Sequence, residues 1–162
     1  MLNNIAKNMP FKALRWIIIY EMISVAIGYA TRLGMHPWYD DLGKSAFTPP
    51  GYIFSIVWPL LYCTLAILGY RLYNKRSVSD EYSLVFKLYL SQMLLNWLWS
   101  PIFFNFHLTK LALFILVVIV IINIYLILKL IRSKNNDQYL ILPYFMWICF
   151  ALYLNIIIVL KN

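Results

Sequence analysis

Gln92, Asn96, Trp99, Ser100 and Phe103 stand at i, i+4, i+7, i+8 and i+11 of a single apolar stretch that runs from Gln92 to Phe104. On an α-helix that spacing places two carboxamides, an indole N–H and a hydroxyl on one face. A helix surrounded by lipid has no partner for such groups, and each one left unsatisfied in hydrocarbon is costly. The stripe must therefore face protein or a cavity. Its chemistry is hydrogen bonding and ring stacking, the means of orienting a flat apolar ligand by its polar edges. Bond-breaking groups are missing from it.

Two further stretches carry matching faces. Phe54, Trp58 and Tyr62 are spaced i, i+4, i+8, and Trp147, Ala151, Leu154 and Asn155 share another face. Large rings beside small residues (Ala151, Ser55, Gly28) and isolated polar groups describe the lining of an apolar pocket with a few polar anchors. The same faces also describe a solid core held by amide bonds between helices. Spacing alone leaves both readings open.

Other candidate chemistry is thinner. His36 and His107 are lone histidines in loops, without a carboxylate or thiol at ligand spacing, and read as surface residues rather than haem or metal ligands. Asp40 and Asp41 are adjacent loop carboxylates and read as solvated. No nucleophile with base and orienting group, no phosphate-cradling glycine loop and no metal box is present. Glu21 is the one acid of the first apolar run, and an intramembrane carboxylate is a functional hypothesis by default. It could serve as a proton or cation site of a small-molecule exporter. The simpler reading pairs it with Arg15, about two turns away.

The elements that position these residues follow from composition. The 162 residues are 63% hydrophobic and 12% charged, with mean hydropathy +0.73, against nearly half and a quarter in soluble domains. The apolar residues cluster into five runs, at about 14–33, 51–73, 82–104, 110–131 and 140–160, each of the length that crosses a bilayer. The chain is an all-α membrane protein, one five-transmembrane-helix domain over residues 1–162. Short connectors make successive spans antiparallel neighbours. Lys7, Lys12 and Arg15 precede a run without a cleavage site, so the first span stays as an anchor. Cys63 and Cys149 lie within spans and read as small buried hydrophobes.

Net charge of +8 does not imply nucleic acid here, because the basic residues sit at span ends, where lipid headgroups meet them. One side collects Lys7, Lys12, Arg15, Arg71, Lys75, Arg76, Lys87, Lys129, Arg132 and Lys134. The other holds Arg32, Lys44, Lys110 and Lys161. That asymmetry puts the N-terminus in the cytoplasm and the C-terminus outside. The 34–50 loop is then external. It carries Trp38, Tyr39 and Phe47 and ends on Pro49-Pro50, which pre-set the next helix. It reads either as a folded lid over the bundle mouth or as an interfacial aromatic belt.

Taken together these segments resemble the translocator protein family, also called tryptophan-rich sensory proteins or the TspO/MBR (peripheral benzodiazepine receptor-like) family. The matching residues are Trp38-Tyr39-x-x-Leu42-x-Lys44-x-x-Phe47-x-Pro49-Pro50, then Phe54 and Val57-Trp58-x-x-Leu61-Tyr62. They continue as Gln92-x-x-Leu95-Asn96-Trp97-x-Trp99-Ser100-Pro101-x-Phe103-Phe104 and Pro143-Tyr144-x-x-Trp147-x-x-Phe150-Ala151-x-x-Leu154-Asn155. The resemblance runs from about residue 25 to the end.

It implies a five-helix bundle, often a homodimer, with a ligand pocket under the first external loop. It also implies binding of porphyrins and of isoquinoline- or benzodiazepine-type molecules, without a required cofactor, in a bacterial cytoplasmic membrane. The implied pocket residues are Tyr39, Phe54, Trp58, Asn96, Trp99, Trp147, Ala151 and Leu154, to which the polar stripe adds Gln92. Trp58 and Trp147 match tryptophans tied to light-dependent porphyrin breakdown, the enzymatic alternative to sensing or transport. Lys44, near the mouth, could meet a porphyrin propionate. Three departures stand out: Ser45 replaces a family proline, Ile115 replaces an acid, and Ile156–Leu160 lacks the aromatic and basic residues of a sterol segment. We therefore expect no sterol binding.

Overall fold

The computed structural model describes residues 2–133 and 136–162, with side chains from Phe11 onward. The side chains of Lys7 and Lys134, both used in the charge asymmetry, lie outside that set. In chain order the elements are α1 (Leu2–Met35), the short α2 (Trp38–Asp41), α3 (Gly51–Lys75) and α4 (Asp80–Ser100). A π-helical turn over Pro101–Asn105 follows, then α5 (Thr109–Arg132) and α6 (Gln138–Lys161). Among the described residues there is no strand.

Four of the five apolar runs fall within one long helix each, and the third, 82–104, spans α4 and most of the π turn. Among the described residues four helices are long and apolar enough to cross a membrane: α1 over Phe11–Met35, α3, α5 and α6. At 21 residues α4 has the length, but Lys87 and the Gln92 and Asn96 amides make it less apolar than a candidate span requires. The expected all-α architecture with several membrane-length helices is present, with four of the five expected spans among these candidates. The start of α1 also lies well before residue 14. Hydropathy marks the apolar centre of a helix, while the backbone continues helical into polar residues until something breaks it.

Local signals explain several ends. Ser79 caps α4, accepting the Tyr82 N–H at 3.3 Å, and Asp80 and Glu81 in the first turn favour the positive end of the helix dipole. At the other end Pro101 has no N–H to return to the preceding turn. The chain widens there, so that Phe106 N–H reaches the Pro101 carbonyl at 3.0 Å, the i→i+5 pattern of a π turn.

The long helices pack α1 on α3, α4 on α5 and α5 on α6, with the π turn seated against α1. The core is drawn from all five: Tyr20, Leu65, Leu68, Tyr89, Met93, Leu116, Ile119, Tyr144 and Ile148 are buried in one cluster. A smaller cluster of Phe103, Ala112 and Ile158 lies beneath Trp38, Tyr39 and Leu42. At the opposite end Asp137 is buried between Arg71 and Lys75, and Lys129 meets Glu81 at 2.8 Å.

Candidate functional site

The polar stripe of α4 resolves into four contacts, each to a different helix. Asn123 Nδ2 on α5 donates to Gln92 Oε1 at 3.4 Å. Asn96 Nδ2 donates to the Tyr62 hydroxyl on α3 at 3.0 Å. Trp99 Nε1 donates to Asn155 Oδ1 on α6 at 3.4 Å, and the Ser100 and Thr31 hydroxyls, on α4 and α1, meet at 2.6 Å. α4 is thus the polar spine of the bundle. At about 0.6 kcal/mol for each inter-helix bond inside a membrane, the four contribute about 2–3 kcal/mol together. They fix the rotation of α4 against every neighbour.

The aromatic faces close on the same spine. Trp58 stacks on Tyr62 with centroids 5.4 Å apart, so the Asn96 amide, the phenol and the indole form one wall. Phe54 meets Trp147 edge-on at 5.5 Å, joining α3 to α6. Trp99 stacks on Phe103 at 5.3 Å. Ala151 and Leu154 are buried on α6. Gln92 and Asn96 are buried, and Phe54, Trp58, Trp99 and Trp147 are half-buried. Two buried donors in these walls, Gln92 Nε2 and Trp147 Nε1, have no partner, whereas buried polar groups are normally hydrogen-bonded.

Above them α2 packs over the end of α4 and the π turn. Trp38 stacks on His107 at 4.0 Å and meets Phe103 edge-on at 5.7 Å, while Tyr39 meets Phe104 at 5.3 Å. Burial, with Asp40 beside it, holds the Tyr39 phenol above its ordinary range, so it remains neutral. Lys44 Nζ donates to the Tyr39 and Asp40 carbonyls at 2.8 and 3.2 Å. Its ammonium caps the carbonyls of the short helix. The loop is latched to the end of α6: Gly43 N–H donates to Asn162 Oδ1 at 2.9 Å, and Asn162 Nδ2 returns to the Gly43 carbonyl at 3.3 Å.

The structure therefore brings Trp58 and Asn96 together through Tyr62, Phe54 to Trp147, and Trp99 under Tyr39 through Phe103 and Phe104. Gln92 stands apart, turned to α5. Gly28 and Ser55 are exposed, so neither supplies an interior gap. Reading the sequence missed Tyr62 as the partner of Asn96 and Asn155 as that of Trp99. A phenol four residues after Trp58 and an amide eight after Trp147 were the available signals. Glu21 does not meet Arg15, which lies over the Phe11 ring. Its neighbour is Cys63. Among the described residues no group of three His, Cys, Asp or Glu side chains could hold a metal ion.

The aromatic faces, the α4 spine and the aromatic loop are what the TspO/MBR resemblance rests on, and comparison with known proteins bears on it directly. The profile of the TspO/MBR family matches residues 16–160. A tryptophan-rich protein TspO of Archaeoglobus fulgidus is 34% identical over 142 residues, covering 85% of this chain and 91% of that protein. One from Bacillus cereus is 30% identical, covering 73% and 76%. The translocator protein of Sus scrofa is 29% identical, covering 75% and 72%. With nearly its whole length matched by that profile, this chain belongs to the TspO/MBR family.

Proposed function

We propose that this membrane protein binds porphyrins and related flat hydrophobic ligands between the aromatic faces of α3, α4 and α6, as a sensor or carrier of tetrapyrroles. The observation that carries the reading is the wall in which Asn96, Tyr62 and Trp58 join a buried amide to two stacked rings. Phe54, Trp99, Trp147, Ala151 and Leu154 complete it, Tyr39 covers it, and Gln92 offers a free N–H from the α5 side. The Trp147 indole N–H is a second donor awaiting an acceptor.

These rings now rest on one another, so a ligand must part them. Separating two aromatic pairs costs about 1–3 kcal/mol. Taken up from water, a tetrapyrrole buries at least the about 150–250 Å² of one aromatic side chain, which returns about 4–6 kcal/mol at about 25 cal/mol per Å². Insertion wins, and the free donors add orientation. The basic end carrying Arg71, Lys75, Arg76, Lys129 and Arg132 would face the cytoplasm. The lid would then face outward from a bacterial cytoplasmic membrane, in a homodimer of the kind the resemblance implies.

A thermal-shift panel tests the reading. Protoporphyrin at about a hundred times its dissociation constant should stabilise the wild type by about 2.7 kcal/mol. Asn96→Leu should bind it at least about tenfold more weakly, a loss of about 1.4 kcal/mol. The variant should fold normally, since one inter-helix bond is worth only about 0.6 kcal/mol. If no porphyrin or isoquinoline shifts the wild type, the chain is a scaffold instead.

A further inference from the structure

The core holds two phenol networks, and only one of them is closed. In the first, the Tyr20 and Tyr89 hydroxyls meet at 2.9 Å, and Tyr89 donates onward to the Leu65 carbonyl at 2.7 Å. Each proton there has an acceptor. In the second, the Tyr62 oxygen takes a proton of Asn96 Nδ2 at 3.0 Å. A phenol donates one bond besides those it accepts, and among the described residues the Tyr62 O–H meets no acceptor. The polar groups beside it are Asn96 Nδ2 and the Trp97 indole N–H, and both are donors. Glu21 and the Tyr20 hydroxyl stand beyond hydrogen-bond reach. Trp97 Nε1 is itself buried without a partner, and Tyr62 is only 4% exposed.

Two unspent donors therefore stand side by side, Tyr62 O–H on α3 and Trp97 Nε1–H on α4, at the edge of the Trp58–Tyr62 stack. Buried polar groups are normally paired. The complement of two neighbouring donors is one oxygen with two lone pairs. A water molecule would accept from both, but it would bring two protons of its own to a place whose nearest polar groups are donors. A carbonyl oxygen brings none. We propose that Tyr62 is the specificity-determining residue of the tetrapyrrole site, its O–H and the Trp97 N–H receiving a carbonyl oxygen on the edge of the ring system. The assignment rests on the tetrapyrrole reading and narrows it, from flat ligands in general to those with an edge carbonyl. Hydrocarbon offers such an oxygen no donor, so the bonds count against lipid as well as against an unsubstituted ring. Opening the Trp58–Tyr62 stack is the movement that brings a ligand's edge to the hydroxyl.

The test uses the full chain in phosphatidylcholine nanodiscs and two macrocycles of nearly one size, octaethylporphyrin and oxo-octaethylchlorin, which carries a ketone at its edge. Empty nanodiscs correct for partition into lipid. The ketone should bind the wild type at least about fivefold tighter, the gain from two hydrogen bonds of the strength found inside membranes. Tyr62→Phe should bring the two macrocycles within about twofold of each other, with octaethylporphyrin binding as it does to the wild type. Trp97→Phe should lose part of the preference. On the unaltered chain, the infrared C=O stretch of the bound ketone should lie below its value in lipid alone. Equal binding of both macrocycles to the wild type overturns the assignment. So does a preference that survives Tyr62→Phe, or a C=O stretch that binding does not lower. Binding of neither macrocycle overturns the tetrapyrrole reading itself and the assignment with it, so the two failures are told apart.

Discussion

Gly34→Ala is expected to lower the thermal midpoint by about 4–8 °C, while Gly28→Ala leaves it unchanged or raises it. Both glycines lie in α1, where alanine favours the helix by about 0.5–1 kcal/mol. Their surroundings differ. A Cβ on Gly34 would stand 2.5 Å from the Phe104 carbonyl oxygen and 2.8 Å from Asn105 Cα, both backbone atoms of the π turn, whereas one on Gly28 meets nothing within 4 Å. Backbone cannot rotate aside as a flexible side chain can, so the overpacking cost of about 1–3 kcal/mol or more outweighs the propensity gain. A net loss of about 2 kcal/mol corresponds to that shift at about 2–4 °C per kcal/mol for a chain of this size.

The contact also ties the π turn to the end of α1. Asn105 Nδ2 donates to the Ala30 carbonyl at 2.7 Å, and His107 Nε2 lies 3.1 Å from the Gly34 carbonyl, which belongs to the last, otherwise unpaired turn of α1. Pushing the π turn away displaces Phe103 and Phe104 from beneath Trp38 and Tyr39. Differential scanning of both variants checks the contrast, and equal behaviour of the two would refute the close approach.

Asp137→Ala is expected to cost about 2–3 kcal/mol. The Asp137 carboxylate is 2% exposed and takes Arg71 Nη1 at 2.9 Å and Lys75 Nζ at 2.6 Å, tying the last turns of α3 to the start of α6. Removing one member of a fully buried pair can cost about 3–5 kcal/mol. Arg71 and Lys75 are 48% and 30% exposed on their side chains, so water recovers part of that. What remains is the loss of two charge-assisted bonds and the repulsion of two cations one turn apart on α3. Asp137→Asn keeps the volume and loses the charge, and should fall nearly as far. Retention of wild-type stability by Asp137→Asn would mean that shape, not charge, holds this end together.

The sequence states some of this structure and is silent on other parts for physical reasons. Runs of apolar residues locate the five long helices because burial in lipid or protein demands length. The Gln92–Phe103 spacing places a polar face on α4 because the helical period is geometric. Neither says which neighbour that face meets. Rotation about a helix axis is settled by packing, so Asn96 could be assigned to a wall while its partner Tyr62 went unnamed. The same ignorance put Gly28 and Ser55 inside, since a small residue leaves room whichever way it faces. Charge proximity along one helix suggested Arg15 for Glu21, but a guanidinium on a long stem chose an aromatic face instead. The π turn was hidden in plain view at Pro101, where the missing N–H permits a wider turn without requiring it.

A structure of the chain in lipid with protoporphyrin bound tests the central claim most directly. The account predicts the macrocycle against Trp58, Trp99 and Trp147, with the Asn96 amide at its edge, the Trp58–Tyr62 stack opened and α2 closed above. A macrocycle seated on the lipid-facing surface, with the Asn96–Tyr62 bond and the Trp58–Tyr62 stack undisturbed, would contradict it.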